Sequence, residues 1–254
     1  WREMGTESPY FKRWSGEAPI VEARDEIPAG NVVFKGYTGT ASDFEVFEDT
    51  HVGKVSDSGY FGRGFYFSDN EEKSAGYASR AAMKKRGGKP KVLEVYVRMQ
   101  NPLILNRHLS QVPEGTERLA KSLLETPRND PNSLESIMPA ATERITEWRR
   151  IIKVNPNALM RLGSPFRAQA IRAIAEQNGH DGIVVMGEGR KMVGTDYQSR
   201  EIIAFDSAQI KSVENIGTFD PTDPSILKSI GVGAAGGAAA RAMREDEVGD
   251  DQEG

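Results

Sequence analysis

Cysteine is missing from all 254 residues, and three histidines, His51, His108 and His180, are scattered along the chain. The first absence excludes disulfides, a thiolate nucleophile and cysteine-ligated zinc. The second leaves no histidine cluster spaced for a metal, so no metal cofactor is expected. Long apolar runs are missing too, since nothing approaches the ~20 residues that span a bilayer. The nearest stretch, "SIGVGAAGGAAARAM", is rich in alanine and glycine. It reads as a flexible or helical tail, with close helix packing through small residues as the alternative. A basic surplus is also lacking: 33 Lys and Arg stand against 37 Asp and Glu, a formal net charge of −4. Nucleic acid is therefore not expected as a partner. The opening "WREMGTESPY" is polar and mixed in charge, unlike a signal peptide. A start at Trp1 suits a processed product or a piece of a longer protein.

What remains is the composition of a globular chain, 38% hydrophobic and 28% charged, long enough to bury a core. Aromatics are 8% of the whole, yet rings crowd between four glycines in "GYFGRGFYFSDNEEKSAGYA", Gly59 to Ala78. Glycines let a backbone approach a ligand closely, and rings offer flat faces for stacking. A core strand wants the rings but not the glycines, so this stretch reads as a binding loop running into a strand, "GFYFS".

Residues 1–28 are polar, broken by Pro19 and Pro28, and read as a surface lead-in. "NVVFKGYTG" (31–39) is a strand by its β-branched and aromatic content. In "ASDFEVFEDT", Phe44 and Phe47 have the spacing of one helical face. "DNEEKSAGYASRAAMKK" is a helix, capped by Asp69 or Asn70, with acidic residues in its first turn and basic residues in its last. "KVLEVYVRMQNPLIL" is the strongest strand pattern, with Leu93, Val95, Val97 and Met99 alternating against polar neighbours. Residues 106–160 turn helical and charged, interrupted by Pro127, Pro131 and Pro139, and read as a helical insertion with Trp148 packed inward. A helix capped by Ser164 with Pro165 at its first position follows. The buried strand "GIVVM" comes next, then a polar loop to Arg200 and a strand opening at Glu201. Residues 227–254 form the alanine-glycine and then acidic tail, expected to be disordered. The order predicts an α+β domain over 29–226 rather than a regular βαβ array. "GEGRKMVG" follows its strand without opening a helix, so it is not a dinucleotide fingerprint.

Tyr66 on a strand and Tyr77 on the next helix can face each other across one ring thickness, with Ser74 a helical turn before Tyr77. Such a trio would clamp a planar ring and bond an amide substituent. The competing explanation is two core tyrosines with satisfied hydroxyls.

"GRGFYFSDNEEKSAGYA" resembles the nicotinamide-binding segment of ADP-ribosyltransferases of the poly-ADP-ribose polymerase and diphtheria-toxin type. Gly64, Tyr66, Phe67, Ser74, Ala75 and Tyr77 match that family's pattern in order and spacing. The resemblance implies a split mixed sheet with flanking helices. It also implies that NAD+ is a co-substrate, sandwiched through its nicotinamide by Tyr66 and Tyr77. Ser74 would bond the carboxamide, with partner bonds from the Gly36 backbone. "REIIAFD" resembles the third motif and puts Glu201 at the catalytic position. The first motif usually ends in histidine-glycine, or carries arginine; here "VVFKG" puts Lys35 there. Lysine can meet a phosphate or a ribose hydroxyl as a point charge, but it cannot reproduce histidine's hydrogen bonds. "YVRMQNPLIL", "GHDGIVV" and "FDSAQIKSVENIGTFDPTDPSI" are similar to the ADP-ribosyltransferase domains in polyvalent proteins of bacteriophages and mobile elements.

The resemblance implies the following chemistry. Cleaving NAD+ builds positive charge on the ribose, and a carboxylate held at the sugar 2′-hydroxyl would stabilise it best in the transition state. Glu201 would take that role. Tyr197, Gln198 and Arg200 precede it and are candidates to touch the acceptor; Arg63 and Lys54 are candidates for the pyrophosphate. The implied activity is mono-ADP-ribosylation of a host macromolecule, a protein for preference. It would be a toxin-like step in host takeover, acting in the bacterial host cytoplasm and delivered from a phage particle. Polymer formation is not expected, for want of a second ADP-ribose site. The alternative is a catalytically degenerate fold that binds other virion proteins. A toxin-type ribonuclease fits poorly with negative charge and no His/Arg/Glu cluster.

Overall fold

Alternation dictates the longest ladder. With Leu93, Val95, Val97 and Met99 on one side and Glu94, Tyr96 and Arg98 on the other, an extended chain can bury one face only. The computed structural model describes residues 4–48, 63–85, 88–106, 120–121, 124–129, 145–155, 168, 171–172, 175–187, 198–215 and 219–227. In it, α1 (Pro9–Ser15) is followed by β1 (Ile20–Val21), β2 (Val32–Thr40), β3 (Phe65–Ser68) and α2 (Glu71–Lys84). Then come β4 (Lys91–Met99), β5 (Pro102–Asn106), α3 (Ile145–Val154), β6 (Gly182–Met186), β7 (Glu201–Ala204) and β8 (Ile210–Ser212). The strands form one mixed sheet in the order β5-β6-β7-β3-β2-β4-β8, with β1 parallel on β2. This is the expected α+β class with a split sheet.

The split has a definite seam. β2 runs antiparallel to β4 along its whole length, from Val32↔Met99 to Thr40↔Lys91. Against β3 it keeps one register pair, Tyr37↔Ser68. The halves fold over at that seam and pack face to face. Phe65, Phe67, Val184, Ile202 and Ala204 from one half meet Val32, Phe34, Val95, Val97, Met99 and Ile210 from the other. Each of the valine, isoleucine, phenylalanine and methionine side chains among them contributes roughly 1.5–3 kcal/mol on burial, so this interior is a large stabilising mass.

The outer faces are covered separately. Ile171 and Ala175 lie on Leu103, Leu105, Ile183, Val185, Ile203 and Phe205. Phe11 and Trp14 of α1 lie on Val33 and Phe219 with Tyr96 alongside. On the far end of β2, α2 sits directly on the strand. A Cβ at Gly39 would come within 2.1 Å of the Ser74 carbonyl oxygen and 2.4 Å of the Ala78 nitrogen, so a side chain there is impossible without moving the helix. Asn70 caps α2, its side chain accepting from the Lys73 amide at 3.0 Å, and Glu71 and Glu72 fill the first turn as expected.

Four expectations are corrected. Residues 1–28 are not a surface lead-in: Trp14 is 0% exposed and β1 joins the sheet. Residues 41–48 are not helical, because Val46 bridges Ser225 and the Glu45 carbonyl accepts from Ile226. Phe44 and Phe47 still meet, ring centroids 4.9 Å apart, but across an irregular chain. "KVLEVYVRMQNPLIL" is two strands in different halves. The Asp181 carboxylate accepts from the Gln100 and Asn101 amides at 2.7 and 2.9 Å, turning the chain, and Pro102 opens β5 parallel to β6. The segment after "EIIAF" adds a further strand, β8, through a capping box at Asp206 and Gln209. In the insertion, α3 and the helical residues 120–121 and 124–125 agree with the expectation, and Trp148 is half-buried. The glycine-aromatic loop before Arg63, the residues at 188–197 and the tail from 228 lie outside the described residues. Among the described residues, no helix is long and apolar enough to cross a membrane.

Candidate active site

Strand period and register decide which side chains share a surface. On β7, Ile202 and Ala204 point into the interior while Ile203 points outward, so Glu201 is on the outward face. Its partner across β3 is Ser68, and Tyr66 is opposite Ile203. Tyr66 is therefore the outward diagonal neighbour of Glu201, roughly 7–8 Å away strand to strand. Across the seam, Ser68 pairs with Tyr37, which carries the same face onto β2. There Val33 lies under α1 and Gly39 under α2. Lys35 and Tyr37 occupy the strip between them.

That strip coincides with a break in pairing. The edge of β2 away from β4 pairs with β1 at Val33 and Phe34, then with β3 at Tyr37. The gap between the two ladders falls at Lys35-Gly36. Gly36 itself is buried, and its Cβ direction points at Phe67 and Ile202 in the interior, so only its backbone is available to the outer face.

Two ion pairs cross this surface. The Lys73 ammonium lies 2.9 Å from a Glu201 carboxylate oxygen, both side chains largely buried. The Lys35 ammonium lies 2.7 Å from Glu94 and 3.9 Å from Glu22. Bonding to Glu94 is the main cause that holds the Lys35 pKa above its ordinary value, against the opposing effect of burial. On α2, Lys73 and Tyr77 are four residues apart and share a flank. Tyr77 thus stands one turn beyond the group that reaches Glu201. It is 47% exposed, with the Arg80 guanidinium 4.4 Å from its ring centroid. Ser74 is buried and donates to the Tyr37 carbonyl at 2.9 Å, joining α2 to β2 at the seam.

Arg200 has a different job from the one expected of it. Its side chain is buried rather than open to an acceptor. Its Nε is 2.7 Å from Asp69, and its terminal nitrogens donate to the Glu22 and Asp25 carbonyls at 2.6 and 3.1 Å. The Arg200 amide also donates to Asp69 at 2.9 Å. Arg200 thereby ties the 22–25 turn, which carries Glu22, to the start of α2 and to β7.

Of the remaining residues singled out from the sequence, Gly64 is buried at the start of β3. A Cβ there would come within 2.5 Å of the Ala204 carbonyl, so it serves the close approach of β3 and β7. Gln198 is half-buried beside Gly187. Arg63 is exposed and its amide donates to the Ala168 carbonyl. Tyr197 and Lys54 lie outside the described residues. The sequence reading missed Lys73, Glu94, Glu22 and Tyr37. Lys73 had a signal, its four-residue spacing from Tyr77. Glu94 and Glu22 had none, because they meet Lys35 only through strand pairing and a turn.

The family described as "ADP-Ribosyltransferase in polyvalent proteins" has a sequence model that matches residues 32–219. That span holds Lys35, Tyr66, Tyr77, Glu94 and Glu201. Comparison with curated proteins and with solved structures returned no match.

Proposed function

The chain belongs to the ADP-ribosyltransferase family of polyvalent proteins, and from that premise we propose that it is an NAD+-dependent mono-ADP-ribosyltransferase acting on a host macromolecule. The single observation that carries the reading is the shared outward face of Glu201, Tyr66 and Lys35, set around the interrupted pairing of β2. NAD+ fits these groups by chemistry. An interrupted strand edge suits a carboxamide, which both donates and accepts, and a half-buried ring suits a flat heterocycle.

In this reading Tyr66 and Tyr77 flank the nicotinamide, and the Gly36 backbone and Ser74 meet its carboxamide. Glu201 is the catalytic carboxylate. When the bond between nicotinamide and ribose breaks, the sugar becomes cationic. A fixed negative charge at its 2′-hydroxyl lowers the barrier more than it favours the ground state. Lys73 orients that carboxylate through their ion pair. Gln198, three residues before Glu201 in the chain, would meet the acceptor, as would Tyr197, which lies outside the described residues. The enzyme would be encoded by a bacteriophage or mobile element, delivered from the particle and active in the bacterial host cytoplasm.

Incubation with labelled NAD+ and a bacterial lysate tests this. Label should pass to a macromolecule with wild type and fail to do so with Glu201→Gln; equal transfer by both removes Glu201 from the chemistry. One observation favours a second reading, a non-catalytic virion or interaction module: the Lys35 and Lys73 ammonium groups of this strip are already paired with carboxylates. Absence of NAD+ binding by calorimetry would select it.

A further inference from the structure

Histidine in neutral form offers one donor and one acceptor from a single ring, whereas a lysine ammonium is donor only. Lys35 alone therefore recognises half of what a hydroxyl presents. The missing half is beside it. Glu94 sits on β4 opposite Tyr37, diagonal to Lys35, and its carboxylate is 2.7 Å from the ammonium. Glu22 is 3.9 Å away on the other side, carried on the turn that Arg200 pins by the Glu22 carbonyl at 2.6 Å.

We propose that Glu94 is a substrate-binding residue that acts with Lys35, and that the pair recognises a ribose hydroxyl pair rather than a phosphate. The inference rests on the transferase reading above. Charge decides between the two ligands. One ammonium between two carboxylates leaves the locality net negative, which repels a pyrophosphate. A vicinal diol has the opposite requirement: one hydroxyl accepts from the ammonium while its neighbour donates to the carboxylate. The strip is also fenced by phenols, Tyr37 across from Glu94 and Tyr96 across from Lys35, a setting suited to a sugar edge. Lys35 keeps donors to spare, since an ammonium has three and, among the described residues, Glu94 is the one carboxylate within direct bonding distance.

The experiment is a double-mutant cycle on the full chain, read as the Kd for NAD+ by calorimetry with thermal melts alongside. Glu94→Gln keeps the shape of the side chain and removes its charge. In the Lys35 protein it should weaken NAD+ binding about 10-fold or more, the worth of a charge-assisted hydrogen bond. In the Lys35→His protein, where the ring supplies both donor and acceptor, the same Glu94→Gln change should cost less than about threefold. NAD+ analogues lacking one ribose hydroxyl locate the contact. One of them should bind wild type more weakly and be indifferent to Glu94→Gln. Equal losses from Glu94→Gln in both backgrounds would assign Glu94 a structural role and overturn the inference, as would no loss in either. Sensitivity to Glu94→Gln that persists with ADP and with every deoxy analogue would make Lys35 a phosphate ligand and overturn it as well. Absence of NAD+ binding by wild type is a separate result, which removes the transferase reading itself.

Discussion

Arg200 and Glu201 are neighbours in the chain, both charged, both ion-paired, and the structure uses them in opposite ways. The extended backbone sends their side chains to opposite sides. Arg200 enters the interior, 1% exposed, and its planar fork is met by a carboxylate and two carbonyls. Glu201 faces the outer strip and meets the ammonium of Lys73, a flexible point charge that can shift to admit a ligand. A guanidinium bonded on several sides inside a core is a strut, while a carboxylate ion-paired with a long flexible side chain on the outer face of the sheet is suited to work on a substrate. The difference lies not in having a partner but in what else surrounds the pair.

The sharpest way to break this comparison is to remove the strut. Asp69→Ala leaves a buried guanidinium without its carboxylate and should destabilise the fold by about 3–5 kcal/mol, read as a lower urea midpoint. Pairing it with Arg200→Met should recover part of that loss, because the uncompensated charge goes too. A cost below about 1 kcal/mol for Asp69→Ala would mean the pair is not structural. Next in size is the working half of the comparison. Glu201→Gln should slow nicotinamide release about 10²–10³-fold, some 2.7–4 kcal/mol of transition-state stabilisation. Its stability should fall by no more than the ~1–2 kcal/mol expected for loss of the Lys73 ion pair, well short of the Asp69→Ala loss. A large stability loss with activity retained would exchange the roles assigned to residues 200 and 201.

The same contrast explains what could be read before any coordinates. Alternation at Leu93–Met99, the β-branched run in β2 and the cap and charge order of α2 are local signals, and those elements formed where expected. Errors arose where distant pairing outweighed local preference. Phe44 and Phe47 have helical spacing, yet the bridge from Val46 to Ser225 and the bond from Ile226 to the Glu45 carbonyl hold their segment irregular. Phe11 and Trp14, three apart behind a Ser8 cap and Pro9, carry the pattern of a short buried helix, obscured in the sequence by the polar residues around them. In the site, Tyr66, Tyr77 and Glu201 were legible as a motif, since each belongs to a contiguous stretch. Lys73 and Glu94 matter only through contacts between elements, and Arg200 looks like a surface charge until Asp69 and the 22–25 turn close around it.

Between strut and working group stands Lys73. Lys73→Met should reduce kcat about 10-fold through loss of aim in Glu201, with KM nearly unchanged. Stability should fall by about 1–2 kcal/mol, between the values for surface and buried pairs. Lys73→Arg should restore part of the rate. A change confined to KM would instead make Lys73 a binding group.

The smallest effect belongs to the most exposed of the three pairs, Lys35 with Glu94, whose side chains are 28% and 36% accessible. Solvent screening limits its stabilising contribution to about 0–1 kcal/mol. Bonding to Glu94 raises the Lys35 pKa above its ordinary 10.5, so the folded state holds the proton more tightly than the unfolded chain does. The contribution is then complete below pH 10.5 and is lost as pH climbs through the folded-state value. The stability gap between wild type and Glu94→Gln should stay level from neutral pH to about 10 and narrow above that. In 1 M salt it should narrow at every pH, because a Debye length of about 3 Å screens a pair so open to water. A gap that widened with alkalinity would mean the ammonium is not what Glu94 stabilises, and the ordering of the three pairs by their access to water would fail with it.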